Sequence, residues 1–490
     1  NTAGLQFRYW DGIGTKNEGV TDGGDGLWQR STGNDNWVDD GNIPNAQFAD
    51  AVFAVFMGAT GTVTVDRSPG DGEASGMQFL TDGYVIEGES ITLAGTRAVI
   101  RVGDGTAAGA GTSATIASEL TGAAELVKSD LGTLVLTGNN SYTGGTAIEG
   151  GTLAVSADAN LGDAAGGLTF NGGTLNTTAD LTSSRDVDFL GAGTLLTDDA
   201  TTLTLGGTLS GAGTLTKQGL GTLILTGSGG HTGGTAVFAG TLFVNGDLSG
   251  ATGLMTIANG ATLGGIGTIG GDVSFADGAT LAPGAGGTGT LTIVGDLGLA
   301  AGTTLDYQFG QAGTAGGALN DLVNVGGDLV LDGTINVSVP TGGNFGGGIY
   351  RVFNYGGSLT DNGLVLGAMP LGSDVSVQTA VAGQVNLVNT AGLTLSFWDG
   401  NTGPKNNDSI NGGDGVWRLA GGGNNWTDAG GAVNADYAQD SFAVFAGAPG
   451  TVTIDDIGGA VRASGMQFAV DGYSLVGDAL SLTGAQAAVP

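Results

Sequence analysis

Lys128 to Val155 reads KSDLGTLVLTGNNSYTGGTAIEGGTLAV, and 89 residues later Lys217 to Val244 reads KQGLGTLILTGSGGHTGGTAVFAGTLFV. In each, TLVL or TLIL and then TLAV or TLFV set aliphatic side chains two residues apart, which places them on one side of an extended strand. Thr at alternate positions suits the other side, because its branched carbon fits β geometry while its hydroxyl stays hydrated. Glycine pairs between the strands mark tight turns. Short strands of this kind recur further along, as TLTIVG (Thr290 to Gly295) and TINVSV (Thr334 to Val339). The longest glycine-free stretch in this region, Thr174 to Leu190, is dominated by Thr, Asp and Ser, which compete with a helical backbone for hydrogen bonds. Many short strands without crossover helices predict an all-β chain coiled as a parallel solenoid, with Leu, Val and Ile stacked inside; hairpins are the competing arrangement.

Composition agrees. Of 490 residues 101 are Gly and only 12% are charged, against the usual quarter. Eight prolines and no third-residue glycine period exclude collagen, and 40% hydrophobic residues argue against disorder. With 46 acidic and 13 basic residues the net charge is -33, which leaves no basic face for nucleic acid or an anionic membrane. The absence of Cys removes disulfides and thiolate metal sites together. No apolar run approaches the roughly 20 residues of a membrane-spanning helix. Asn1 does not open a signal peptide, so any export signal or anchor is expected outside this sequence.

The two quoted segments follow K-x-G-x-GTLxLTGxNxYTGGTxxxxGTLxV, a pattern that resembles the passenger-associated transport repeat of bacterial autotransporter passenger domains. Asp130 stands where the pattern has Gly, Gly229 and Gly230 replace Asn140 and Ser141, and His231 replaces Tyr142. The stretch ATLGGIGTIGGDVSFADGATLAPG (Ala261 to Gly284) resembles the segment that follows such repeats. The resemblance implies a right-handed parallel β-helix (β-solenoid), exported to the surface of a Gram-negative bacterium.

The chain also starts twice. NTAGL at Asn1 to Leu5 returns at Asn389 to Leu393, FRYWDG (Phe7 to Gly12) as LSFWDG (Leu395 to Gly400), and GGDGLW (Gly23 to Trp28) as GGDGVW (Gly412 to Trp417). ASGMQF at Ala74 to Phe79 returns unchanged at Ala463 to Phe468. The offset is 388 residues before the first loop and 389 after it, so a whole unit is duplicated with one insertion. Four segments are expected: 1–104, an aromatic-rich module leading into the solenoid; 105–250, β-helix with the two transport-type repeats; 251–388, its continuation; and 389–490, a second copy of the module. The expected chain is a piece of a longer tandem array. At about 20 residues per rung, one period holds roughly 19 rungs, on the order of 90 Å at ~4.8 Å each.

Candidate sites lie mainly in the modules. All six tryptophans are there: Trp10, Trp28, Trp37, Trp398, Trp417 and Trp426. They are expected to form a small core, cap or interface between successive units, with stacking on glycans as the alternative. Asp22, Asp25, Asp39 and Asp40, with the pairs Asp198-Asp199 and Asp455-Asp456, are weak candidates for Ca²⁺, since no EF-hand loop or calcium nonapeptide accompanies them. Catalysis finds little: the sole histidine, His231, fills a tyrosine slot and is expected at a solvent-facing turn, and no GxSxG elbow is present. The expected function is a rigid extracellular fibre, filament or stalk that self-associates or joins head to tail. The alternatives are an adhesin binding glycans or a host surface and, behind it, a β-helical carbohydrate-active enzyme.

Overall fold

The computed structural model describes residues 6–30, 33–39, 44–68, 70, 72–421 and 424–483. They fall in two compact units, Asn1–Ala279 and Thr280–Pro490. Among the described residues the only helical segments are two 3-10 turns, Ala107–Gly111 and Asp158–Leu161.

The first unit is a coil of parallel strands. Leu126 pairs with Thr146, Thr146 with Leu168, Leu168 with Val187 and Val187 with Leu209, so these rungs are 19 to 22 residues apart. The register stacks like on like. Leu134, Leu153, Leu175, Leu195, Lys217, Val237, Ile257 and Phe275 form one continuous inward column, all of it buried. Each aliphatic member removed from water is worth about 1.5–3 kcal/mol.

Lys217 in that column, and Lys128 between Ile100 and Ile148 in another, are cations inside an apolar stack. Each is held by carbonyls at the corner of its rung. Lys128 Nζ donates to the carbonyls of Ser129 (2.9 Å), Asp130 (3.0 Å) and Gly150 (3.0 Å). Lys217 Nζ donates to those of Gln218 (2.8 Å), Gly219 (2.8 Å) and Ala239 (3.2 Å). Three acceptors match the three protons of an ammonium. Burial pulls both lysines down to about 8, so they remain charged at neutral pH. The corner needs left-handed backbone: Gly219 has φ +76, and Asp130, standing where the repeat has Gly, adopts φ +66 while its carboxylate pairs with Arg101 at 3.0 Å.

Arg185 is the third buried cation. Its Nε meets Asp158 Oδ1 at 3.0 Å, and its two other nitrogens donate to the carbonyls of Asp158, Gly162, Asp163 and Gly166. One guanidinium thereby pins the excursion from Asp158 to Gly166, using a fork of donors that an ammonium lacks.

His231 corrects an expectation. It is buried, 1% exposed, not solvent-facing, because the turn it belongs to folds into the core. Its Nε2 lies 2.9 Å from Thr235 Oγ1, as the hydroxyl of Tyr142 lies 2.7 Å from Thr146 Oγ1 in the first repeat. The ring also packs on Phe189 at 5.2 Å.

In the second unit the rungs lengthen. Thr290 pairs with Leu322, Thr304 with Thr334 and Leu329 with Leu359, steps of 30 to 32 residues. The uniform rung of about 20 residues therefore fails here, and a period holds fewer rungs than that spacing predicts. The extra residues form excursions with their own fastenings. Asn320 donates to the carbonyls of Gln311 and Thr314, both at 2.7 Å, and accepts from the amides of Gly310 and Gln311, both at 3.0 Å. Antiparallel pairing also enters: Gln384–Asn389 lies between Gly348–Tyr355 and Val375–Gln378, antiparallel to both.

Two predictions follow from the buried cations and the imidazole. Lys217→Met keeps the bulk but leaves three corner carbonyls without their donor, so the urea midpoint should fall by the equivalent of about 1–3 kcal/mol; an unchanged midpoint would show that the ammonium contributes nothing. Burial lowers the His231 pKa below its ordinary 6.5, so the unfolded chain binds that proton more readily and the imidazole's share of stability is lost as pH falls through 6.5. His231→Tyr should reduce the drop in urea midpoint between about pH 7.5 and pH 5. Parallel pH profiles for the two proteins would refute this role.

Candidate functional site

In each aromatic module one strand carries the WDG motif, paired in parallel with a strand of the coil on one side and antiparallel with a Trp-bearing strand on the other. In the first module these are Phe7–Trp10, Val52–Phe56 and Trp37–Val38. In the second they are Leu395–Trp398, Phe442–Phe445 and Trp426–Thr427.

This arrangement gathers three indoles within each module. Trp37 lies 5.0 Å from Trp10 and 5.1 Å from Trp28, ring centre to ring centre, and Phe48 caps Trp28 and Trp37 at 4.8 and 4.7 Å. In the second module Trp426 lies 5.1 Å from Trp398 and 4.9 Å from Trp417, with Tyr437 in the capping place at 4.9 and 4.7 Å. The edge-on and tilted contacts suit the ring quadrupoles. All six indoles face the interior of their own module, none more than 3% exposed. Trp10 and Trp398 each donate Nε1–H to a backbone carbonyl, of Gly24 and Gly413, at 2.8 Å. The indole N–H groups of Trp28, Trp37, Trp417 and Trp426 find no acceptor among the described residues.

The aspartate of WDG is the polar hub beside this core. Asp11 is fully buried; its Oδ1 accepts from the amide of Asp22 at 2.9 Å and its Oδ2 from Asn45 Nδ2 at 2.5 Å. Asp399, equally buried, accepts from the amide of Asn411 at 2.6 Å and from Asn434 Nδ2 at 2.7 Å. Lys16 and Lys405 stand 3.9 and 3.7 Å from these carboxylates. The same asparagines then clasp a loop: the side chains and backbone amides of Asn17 and Asn45 exchange hydrogen bonds of 2.6 and 3.0 Å, and those of Asn406 and Asn434 bonds of 2.6 and 2.7 Å. Tyr84 closes the other side, its hydroxyl 2.7 Å from the carbonyl of Met57 and 2.6 Å from that of Ala59 with one proton to give between them, and burial pushes that hydroxyl up to about 12. Gly23, at φ +74, packs so tightly under that tyrosine and Met57 that a side chain would collide with both.

The acidic candidates serve turns. Asp25 Oδ1 accepts from the amide of Thr62 at 2.7 Å, as Asp414 does from Thr451. Asp22 has Asn411 as its counterpart, so its charge is not kept in the second copy. Asp455 pairs with Arg418 at 3.3 Å. Asp40 lies outside the described residues, and Asp39, the half-buried Asp198 and the exposed Asp199 join no metal-type cluster among the described residues. Among the described residues no three His, Cys, Asp or Glu side chains converge as a metal site would require. The buried Asp11, Asp399 and Asn434 and the half-buried Asn45 were not singled out by sequence reasoning, although their recurrence at the module offset was the available signal.

Asp399→Ala should unlatch the second module by leaving the Asn411 and Asn434 donors and Lys405 without their carboxylate, a cost of about 3–5 kcal/mol. Three of the six tryptophans should then shift their emission to the red at lower urea than in the unaltered chain. An unaltered emission transition would remove the aspartate from its place as hub.

Comparison with known proteins places the sequence among relatives. The model for the Passenger-associated-transport-repeat family fits residues 126–155 and 215–244, the two lysine-bearing repeats. The chain is 48% identical to the protein named "Adhesin BmaC autotransporter" of Brucella suis biovar 1 (strain 1330), over 98% of this chain and 25% of that protein. It thus spans a quarter of that relative's length. Parallel rungs, lysine-clipped corners and this kinship together show that the chain belongs to the autotransporter passengers built on passenger-associated transport repeats, the region such proteins display on the Gram-negative cell surface.

Proposed function

We propose that this chain is a segment of an adhesive passenger, in which β-helical coil holds recurring aromatic modules away from the cell. The observation that carries this reading is the 48% identity, across 98% of the chain, to a protein named as an adhesin and not as an enzyme or a structural fibre. In this reading 105–250 and 251–388 are spacer coil, and 1–104 and 389–490 are the repeated module. The six tryptophans act from beneath, fixing the loops of each module so that its surface is presented rigidly, and successive modules join head to tail. The net charge of -33 keeps a long passenger soluble and apart from the anionic cell envelope. The sole imidazole is enclosed in the coil, so a surface substrate would not reach it.

The test compares bacteria that display the passenger with bacteria lacking the gene segment for this chain, scored for attachment to cultured animal cells, alongside beads coated with the purified chain. Adhesion lost on deletion and conferred on the beads is the expected result. Unchanged attachment together with loss of a surface fibre in electron micrographs would put the fibre reading in its place.

A further inference from the structure

The fastening around WDG holds more chemistry than a latch needs. In the first module Lys16 Nζ and Asn45 Nδ2 both approach Oδ2 of the buried Asp11, at 3.9 and 2.5 Å. In the second, Lys405 Nζ and Asn434 Nδ2 approach Oδ2 of the buried Asp399 at 3.7 and 2.7 Å. An amine, a carboxamide and a carboxylate therefore meet at one oxygen, twice in the chain. Each ammonium also donates to the turn beside it, Lys16 to the carbonyl of Gly12 and Lys405 to that of Gly400.

The carboxamide is prepared as well. Asn45 Oδ1 accepts from the backbone amide of Asn17 at 2.6 Å, and Asn434 Oδ1 from that of Asn406 at 2.6 Å. A donor in that place polarises the C=O bond and stabilises negative charge that develops on its oxygen. Asn17 and Asn406 aim these amides from left-handed backbone, φ +61 and +54, a conformation uncommon outside glycine. The two loops have otherwise drifted: Glu18, Gly19, Val20 and Thr21 correspond to Asn407, Asp408, Ser409 and Ile410. Lysine, the asparagine after it, the distant asparagine and the aspartate are the same in both copies.

We propose that each module closes an isopeptide bond, Lys16 to Asn45 and Lys405 to Asn434, with Asp11 and Asp399 carrying the protons. The carboxylate takes a proton from the ammonium, and the freed amine attacks Cγ of the asparagine. Negative charge on Oδ1 is held by the amide of Asn17 or Asn406. The new bond joins Nζ to Cγ; the bond from Cγ to Nδ2 breaks. The carboxylate passes two protons from Nζ to Nδ2 in turn, so the nitrogen leaves as ammonium and the aspartate ends as it began. Charge and atoms balance without an oxidant or a second protein. Burial lowers the pKa of both lysines despite the carboxylate beside each, which enlarges the share of free amine. The product braces a long loop covalently in a chain that has no cysteine. This inference goes beyond the adhesive reading, since the bond forms whatever the passenger attaches to.

The test is the intact mass of the purified 490-residue chain under denaturing conditions. Both bonds together make it lighter than its sequence by two ammonia molecules. Trypsin should then leave two branched peptides, 9–30 joined to 31–67 and 352–418 joined to 419–462, each uncut at its lysine. Lys16→Arg and Lys405→Arg keep a cation beside the carboxylate; each should lose one branched peptide and one of the two deficits. Asp399→Asn, close in shape, should lose the second crosslink and keep the first, which serves as the control for a folded chain. The proposal is overturned if a chain with native tryptophan emission has its full sequence mass. It is overturned equally if the deficit lies in linear peptides that hydroxylamine cleaves, the mark of a succinimide at the asparagine. Full crosslinking of the Asp399→Asn chain would overturn the aspartate's part in the reaction.

Discussion

Everything in this chain answers to one constraint: in a parallel coil, each inward residue must sit on the inward residue of the next rung. The column from Leu134 to Phe275 shows what that gains, a row of buried side chains whose backbones are all paired along the axis. It also shows the cost. Corners repeat at every rung, and while many of their carbonyls accept from an amide of the next rung, those at the Lys128 and Lys217 corners accept from a side chain instead. A buried carbonyl without a donor costs about 1–3 kcal/mol. The lysines answer this by sending an ammonium out of the apolar column to three corner carbonyls at once. Arg185 does the same for a longer excursion, and Asn320 for another.

The aromatic modules meet a related difficulty with different material. Where the chain turns through 46 residues between paired positions, from Phe7 to Phe53, short aliphatic strands are too few to enclose it. Indoles fill that space, and a buried aspartate fastens the loop from within. The two copies hold the same ring spacings to within a few tenths of an ångström although Phe48 has become Tyr437 and Asp22 has become Asn411. What recurs is the set Trp, Trp, Trp, Asp and Asn that makes the contacts, which identifies the module as a packing solution and its surface as free to vary.

The coil was legible in the sequence because its period is local. Alternation within TLVL or TLIL needs no knowledge of partners, and the 89-residue echo announces stacking. The rung length in the second unit was not legible, since the excursion closed by Asn320 reads as one more glycine-rich turn. His231 was misjudged for an instructive reason: a polar residue among glycines suggests a surface turn, whereas the Thr four residues on, shared by both repeats, offers the hydroxyl that lets either Tyr or His be buried there. The hub aspartates were hidden by composition. In a chain with 46 acidic residues a single buried carboxylate has no signature of its own, and only its survival in both copies of WDG marks it.

The echo itself carries a further lesson, because 89 residues is not a whole number of rungs. In the first repeat the lysine strand, Glu125–Ser129, and the strand Thr133–Leu136 lie in two adjacent sheets of the coil; in the second, the lysine strand Leu215–Gln218 lies in the sheet that holds Thr133–Leu136. The repeat has advanced by four rungs and one side. Its residues therefore cannot be specifying a particular face of the coil. They specify a corner: a lysine to collect carbonyls, a left-handed residue at Asp130 or Gly219 to make the bend, and two aliphatic strands on either side. The same lysine-to-carbonyl contacts close both corners, although the two lie on different sides of the coil.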